Sequence, residues 1–207
     1  MRYTMNILAG AVAAAALSGA ASAEILNGGF ETGDFTDWSA FGPAYVREWE
    51  MSRDFVPPIH DDWAPTEGTY FASLWSYDPT LGSNAYLSTT FHGEAGEVLS
   101  FDYFFDFGDV EPNYDSATAT LVVGSDQVTL FEWNTPGHEL GTDINIDWTS
   151  VSHTLTQTGN YTLNFRISDV NIGFESILGV DNVSLVPEPG SVALMIACLA
   201  AGRFLRR

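Results

Sequence analysis

The side chains of this chain with chemical potential are carboxylates and indoles. Twenty-six acids lie between Glu24 and Val186, where Arg47, Arg53 and Arg166 are the only cations and lysine is absent, a formal charge of −23. Cleaving a glycosidic bond takes two carboxylates about 5 to 9 Å apart. With so many acids some pair always meets that spacing, so no pair is singled out. The HExxH, GxSxG and phosphate-cradling glycine patterns are absent. His60-Asp61-Asp62 groups three possible metal ligands, but adjacent residues of one loop do not usually converge on one ion, and His92, His138 and His153 are isolated. The chain therefore reads as non-catalytic. An acidic surface of this strength repels nucleic acid and anionic lipid and suits a saline setting.

The indoles suggest binding. Sugar rings stack on exposed aromatic faces, and Trp63, Trp49, Trp75, Tyr77 and Trp133 sit among polar or loop residues where such faces could be presented. Trp63 is favoured because it lies in the long stretch from Asp54 to Gly68. Trp38 and Trp148 read as core. The same rings also fill sandwich cores, so residue type alone leaves platform and packing both open.

The elements that must position these side chains are strands. Leu99, Phe101, Tyr103, Phe105 and Phe107 alternate with Ser100, Asp102 and Asp106, with Phe104 out of phase. Residues 161–168 alternate without exception, which predicts one core face and one largely wet face. Further strands are expected at 45–51, 69–77, 85–91, 116–123, 127–133, 149–155 and 178–186. They are separated by turns such as Gly124-Ser125-Asp126 and Thr158-Gly159-Asn160. About nine or ten strands at this spacing predict an all-β, two-sheet antiparallel sandwich in one domain over 24–186. The only cysteine, Cys198, lies outside it, so no disulfide can staple it.

The two ends of that domain carry a specific pattern. Asn27-Gly28-Gly29-Phe30-Glu31, followed by Gly33-Asp34-Phe35 and Trp38, resembles the opening of the galactose-binding-like jelly roll. Val180-Asp181-Asn182-Val183-Ser184-Leu185 resembles its last strand. Many carbohydrate-binding modules share that fold. The resemblance implies a structural calcium ion tying the first segment to the last strand. Its ligands would be the Gly29 carbonyl, Glu31, Glu67, the Tyr70 carbonyl and Asp181. Asp181 shares a strand face with Val183 and Leu185, so it should point inward, where a bare carboxylate is costly. A salt bridge, for which Arg166 is the available cation, is the alternative to calcium.

Arg2, the apolar run Ile7 to Leu17 and Ala21-Ser22-Ala23 have the make-up of a secretory signal peptide, 1–23, with cleavage after Ala23. At the other end, 187–207, Pro187-Glu188-Pro189 precedes an apolar run and Arg203-Phe204-Leu205-Arg206-Arg207. This tail resembles the PEP-CTERM sorting signal. The resemblance implies export through the inner membrane, transient anchoring by a C-terminal transmembrane helix, cleavage near Pro187–Pro189 by an exosortase, and a place on the cell surface or in the extracellular matrix. A helix over 192–205 would extend about 21 Å, short of a hydrocarbon core of about 30 Å, and its arginines would stay cytoplasmic. A plain anchor is the alternative at either end. The expected function is binding of a polysaccharide by a non-catalytic module, or else a structural role in an exopolysaccharide matrix without a discrete ligand.

Overall fold

A computed structural model describes residues 24–53, 62–108, 115–134, 145–169 and 175–187. Ala23, His60, Asp61, His138, Glu188, Pro189 and the apolar segments at both ends lie outside them. The described residues form twelve strands: β1 (Ser39–Phe41), β2 (Ala44–Arg47), β3 (Phe71–Trp75), β4 (Tyr77–Asp78), β5 (Gly82–Ser83), β6 (Ala85–Gly93), β7 (Val98–Asp106), β8 (Ser116–Val123), β9 (Asp126–Asn134), β10 (Ile146–Thr154), β11 (Gly159–Ser168) and β12 (Ile177–Val186). Sheet A runs β1-β6-β11-β8-β9 and sheet B runs β10-β7-β12-β3-β2, all antiparallel, while β4 and β5 form a small separate hairpin.

The period-two alternation builds the core as expected. Leu99, Phe101, Tyr103 and Phe105 of β7 face Leu163, Phe165 and Ile167 of β11, all buried. Phe101 meets Phe165 edge-on at 5.0 Å, the geometry favoured by ring quadrupoles. The expected strand from Tyr45 to Met51 stops at Arg47. Beyond it the chain leaves the sheet and makes one isolated bridge, Glu50 to Trp63.

The two ends of the domain are joined. The Val183 amide donates to the Gly28 carbonyl at 3.0 Å, and Phe30 is fully buried beside Trp38, whose Nε1 donates to the Asn27 carbonyl. The last strand makes room by a bulge between Asp181 and Ser184, with Asn182 at φ +53°, a conformation asparagine tolerates better than most residues.

The outer faces of the two sheets differ. That of sheet A is open among the described residues. That of sheet B, expected to be wet, is roofed near its end by Trp63 and Ala64. Phe104, the out-of-phase residue, packs there in a second small cluster with Trp63, Phe71 and Ile177. Asp106 is fully buried in the same place and accepts from the Trp63 indole at 2.7 Å and the Arg53 amide at 2.9 Å.

Candidate functional site

The open face of sheet A presents side chains in rows fixed by strand register. Phe41 pairs with Tyr86, Tyr86 with Arg166, Arg166 with Thr118 and Thr118 with Glu132, one row across all five strands. Beside it Ser39, Ser88, Asn164, Thr120 and Thr129 form a second row by the same pairings. Because side chains alternate, burial of Ala85, Leu87, Ala117, Ala119, Phe165 and Ile167 forces these neighbours outward. At a strand spacing of about 4.8 Å the row is roughly 19 Å long. The middle of the face is a shallow cleft of about 440 Å³, with Gln127 joining its rim.

The aromatic end of the row is exposed: Tyr86 at 39% and Phe41 at 71%, ring centroids 6.4 Å apart. The Arg166 guanidinium lies 5.2 Å from the centre of the Tyr86 ring. Glu132 stands two strands from Arg166, roughly 10 Å by strand spacing, and does not pair with it. An aromatic surface flanked by a guanidinium, an amide, hydroxyls and a carboxylate can stack a sugar ring and bond its hydroxyls. None of these residues was singled out as a ligand contact from sequence. The available signal was phase: Tyr86 is an aromatic, and Arg166 a cation, at the outward positions of alternating strands.

The indoles favoured from sequence lie elsewhere. Trp63 is no platform. It is 6% exposed, stacked on Phe104 at 4.0 Å with 4° between the rings, and its Nε1 is spent on Asp106. A loop tryptophan flanked by polar residues became the roof of sheet B because Phe104 needed a cover. Trp133 is half-buried on the core side of β9, where its register partner is the buried Ala117, and its Nε1 donates to the Tyr103 hydroxyl. Tyr77 is half-buried in the small hairpin.

Trp49 and Trp75 do come together, in a second cleft of about 430 Å³ at the sheet B edge with Arg47, Glu50, Met51 and Arg53. Trp49 is 60% exposed. Trp75 is covered by Arg53 at 4.7 Å and donates to Glu50 and Ser73. Buried Glu50 in turn faces Arg47 at 3.6 Å and Arg53 at 3.9 Å, while Arg53 also meets Glu175 at 3.7 Å. Tyr45, beside Trp75 and bonded to Asp78, has its hydroxyl pushed up to about 12, first by burial and then by that bond. The polar groups of this cleft are largely committed to one another.

Of the residues expected at a calcium ion, Gly29, Glu31, Glu67 and Asp181 converge where the two chain ends meet. A methyl group on Gly29 would stand 3.0 Å from Glu67 Oε1, 3.7 Å from Glu31 Cγ and 3.8 Å from Asp181 Oδ1. Glu31 accepts from the Thr69 amide at 2.9 Å and the Tyr70 amide at 2.9 Å, and is seated against Gly68, whose φ of +63° brings the backbone in. Asp181 is fully buried. Its Oδ2 accepts from the Thr66 amide and hydroxyl and its Oδ1 from the Asn182 amide at 2.7 Å. Burial still holds its carboxyl above the ordinary value, against those bonds. No described cation pairs with it; Arg166 lies on the outer face of the other sheet. Among the described residues no three His, Cys, Asp or Glu side chains form a metal site by themselves, so an ion here would need main-chain carbonyls as well. Calcium accepts such mixed oxygen sets, and three carboxylates without a counter-charge fit a divalent cation.

No family model matches the sequence, and no curated protein matches it significantly. The fold does have likenesses. A structure of TmCBM61 in complex with β-1,4-galactotriose gives a TM-score of 0.50 at 18% identity, covering 79% of this chain and 97% of that one. A carbohydrate-binding module of the CBM28 type, specific for non-crystalline cellulose, gives 0.41 at 13% identity, covering 79% and 95%. The Stig cyclase Fisc from Fischerella sp. TAU gives 0.45 at 16% identity, covering 80% and 96%. The chain thus has a two-sheet β-sandwich fold resembling that of TmCBM61, a likeness that establishes architecture and no ligand.

Proposed function

We propose that this chain is an exported, non-catalytic glycan-binding protein that takes polysaccharide on the outer face of sheet A. The observation that carries the reading is the row Phe41, Tyr86, Arg166, Thr118, Glu132: two exposed rings followed by groups that bond hydroxyls, all but Phe41 lining an open cleft. The sheet holds the row at fixed spacing, so little ordering cost falls on binding. The test is a glycan array with wild type and Tyr86→Ala. Wild type should bind a polysaccharide, and the variant should lose it while melting unchanged. Absence of any glycan binding would favour the matrix role without a discrete ligand.

The same proposal includes a structural calcium ion held by Glu31, Glu67, Asp181 and the Gly29 and Tyr70 carbonyls. When bound, it would supply positive charge to carboxylates that no described cation neutralises. This chain's own part is to fix the ends: Glu31 clamps the Thr69 and Tyr70 amides, and Asp181 clamps Thr66. The signal peptide, the exosortase-cleaved tail and the surface or matrix location are proposed from the residues at the two ends. Intact mass of the secreted protein tests them; a mature form still carrying Arg203–Arg207 would contradict the sorting.

A further inference from the structure

Resting on the reading of the sheet A face as a glycan site, we propose that its ligand is an acidic polysaccharide, bound by a uronate carboxylate on Arg166. Three arginines serve 26 acids between Glu24 and Val186. Arg47 and Arg53 are engaged by Glu50, and Arg53 also by Glu175. Among the described residues Arg166 has no carboxylate within ion-pair distance, although the domain is crowded with acids. It stands on β11, the central strand of sheet A, and in the row that crosses the cleft. A strand at the centre of an open face is the position a chain-like ligand must cross.

Within the sheet no described carboxylate neutralises this cation. Its register partners are Tyr86 and Thr118, neither able to neutralise it, and Glu132 is a further strand away. An arriving carboxylate therefore breaks no ion pair among the described residues. A guanidinium offers two parallel N–H groups that match a carboxylate, a fit that neutral hydroxyls do not reproduce. The Tyr86 ring backs the guanidinium at 5.2 Å and limits its freedom. Thr118 on the same row and Asn164 on the next are placed to meet hydroxyls of the same sugar, and Glu132 those of a neighbouring one.

The domain's −23 charge works against an acidic polymer at long range. Charges beyond about 8 Å are largely screened at physiological ionic strength, while a contact pair is screened much less. At such salt the local pair decides which glycan is preferred.

The experiment measures binding of the full chain at 150 mM salt to polygalacturonate and to its carboxyl-reduced form, which keeps the same backbone linkage. Wild type, Arg166→Gln, Arg166→Lys and Tyr86→Ala are compared, with melting curves as the check on folding. Wild type should bind the acidic polymer at least tenfold more tightly than the reduced one. Arg166→Gln should erase that preference, Arg166→Lys keep part of it, and Tyr86→Ala weaken both polymers. Equal or tighter binding of the reduced polymer, still lost in Tyr86→Ala, would overturn the acidic preference and leave the site standing. A preference unchanged in Arg166→Gln would overturn the role of this arginine. If neither polymer binds, this inference falls, and the glycan array decides whether the site falls with it.

Discussion

The two outer faces of the sandwich are built from similar residues to opposite effect. The sheet B side gathers more aromatics, Trp63 above it and Phe104, Trp148 and Trp75 within it, and they are consumed in packing or tied to Glu50 and Asp106. Sheet A carries only Tyr86 and Phe41 outside, among hydroxyls and amides, and leaves them in solvent. An aromatic becomes a ligand platform only when nothing in the chain is available to cover it. On sheet B Trp63, bridged to Glu50, lies over Phe104 as a roof; among the described residues nothing does so for sheet A.

This contrast predicts opposite mutational signatures. Trp63→Ala should have the largest effect on stability, about 3 to 5 kcal/mol, since a stacked buried ring and the partner of buried Asp106 are removed together. Glycan binding at a temperature where the variant is folded should be unchanged. Chemical denaturation and binding on the same preparation check both parts, and loss of binding without loss of stability would put the ligand on the sheet B side.

Next in size is calcium. Saturation at a hundred times the dissociation constant stabilises a fold by about 2.7 kcal/mol. Chelation should lower the melting temperature correspondingly, and Asp181→Asn should abolish the response. A melting curve indifferent to chelator would remove the ion from the account.

A smaller effect follows from the buried acids. Burial raises the carboxyls of Asp181 and Asp115 above their ordinary 3.8. Their contribution to stability is therefore complete below that value and is lost as pH rises through each raised, folded-state value. Asp34 and Asp78, lowered by bonds chiefly with Thr36 and Tyr45, act in the opposite sense and only as pH falls below 3.8. The chelated domain should then melt higher as pH falls from neutral toward that value. Calcium, by favouring ionised Asp181, should flatten the dependence. Melting temperature against pH, with and without calcium, measures it. The smallest effect is that of Tyr86→Ala on stability, expected within about 0.5 kcal/mol for an outward residue.

The sandwich was legible because alternation is a local signal. The burial of Leu99 to Phe105 and of Leu163 to Ile167 follows from period two alone, and Ser116–Val123 has the bounds its pattern predicts. The joining of Gly28 to Val183 was legible in the motifs at the two ends. The ligand face was not, because it depends on which strands become neighbours. Tyr86, Arg166 and Glu132 lie far apart in sequence and meet only through the order β6-β11-β8-β9. Trp63 misled for the converse reason: its polar sequence neighbours gave no sign that Phe104 would be beneath it. The missed signal was the phase of Tyr86, between inward Ala85 and Leu87.

The central claim is that glycan binds the open face of sheet A and not the aromatic-rich edge of sheet B. It is tested most directly by calorimetric titration of a glycan identified on the array into wild type, Tyr86→Ala and Trp49→Ala. Both substituted residues are exposed, so all three proteins should share a melting temperature. The account predicts binding lost at least tenfold in Tyr86→Ala and unchanged in Trp49→Ala. Full affinity in Tyr86→Ala together with loss in Trp49→Ala would contradict it and move the site to the cleft of Trp49 and Trp75.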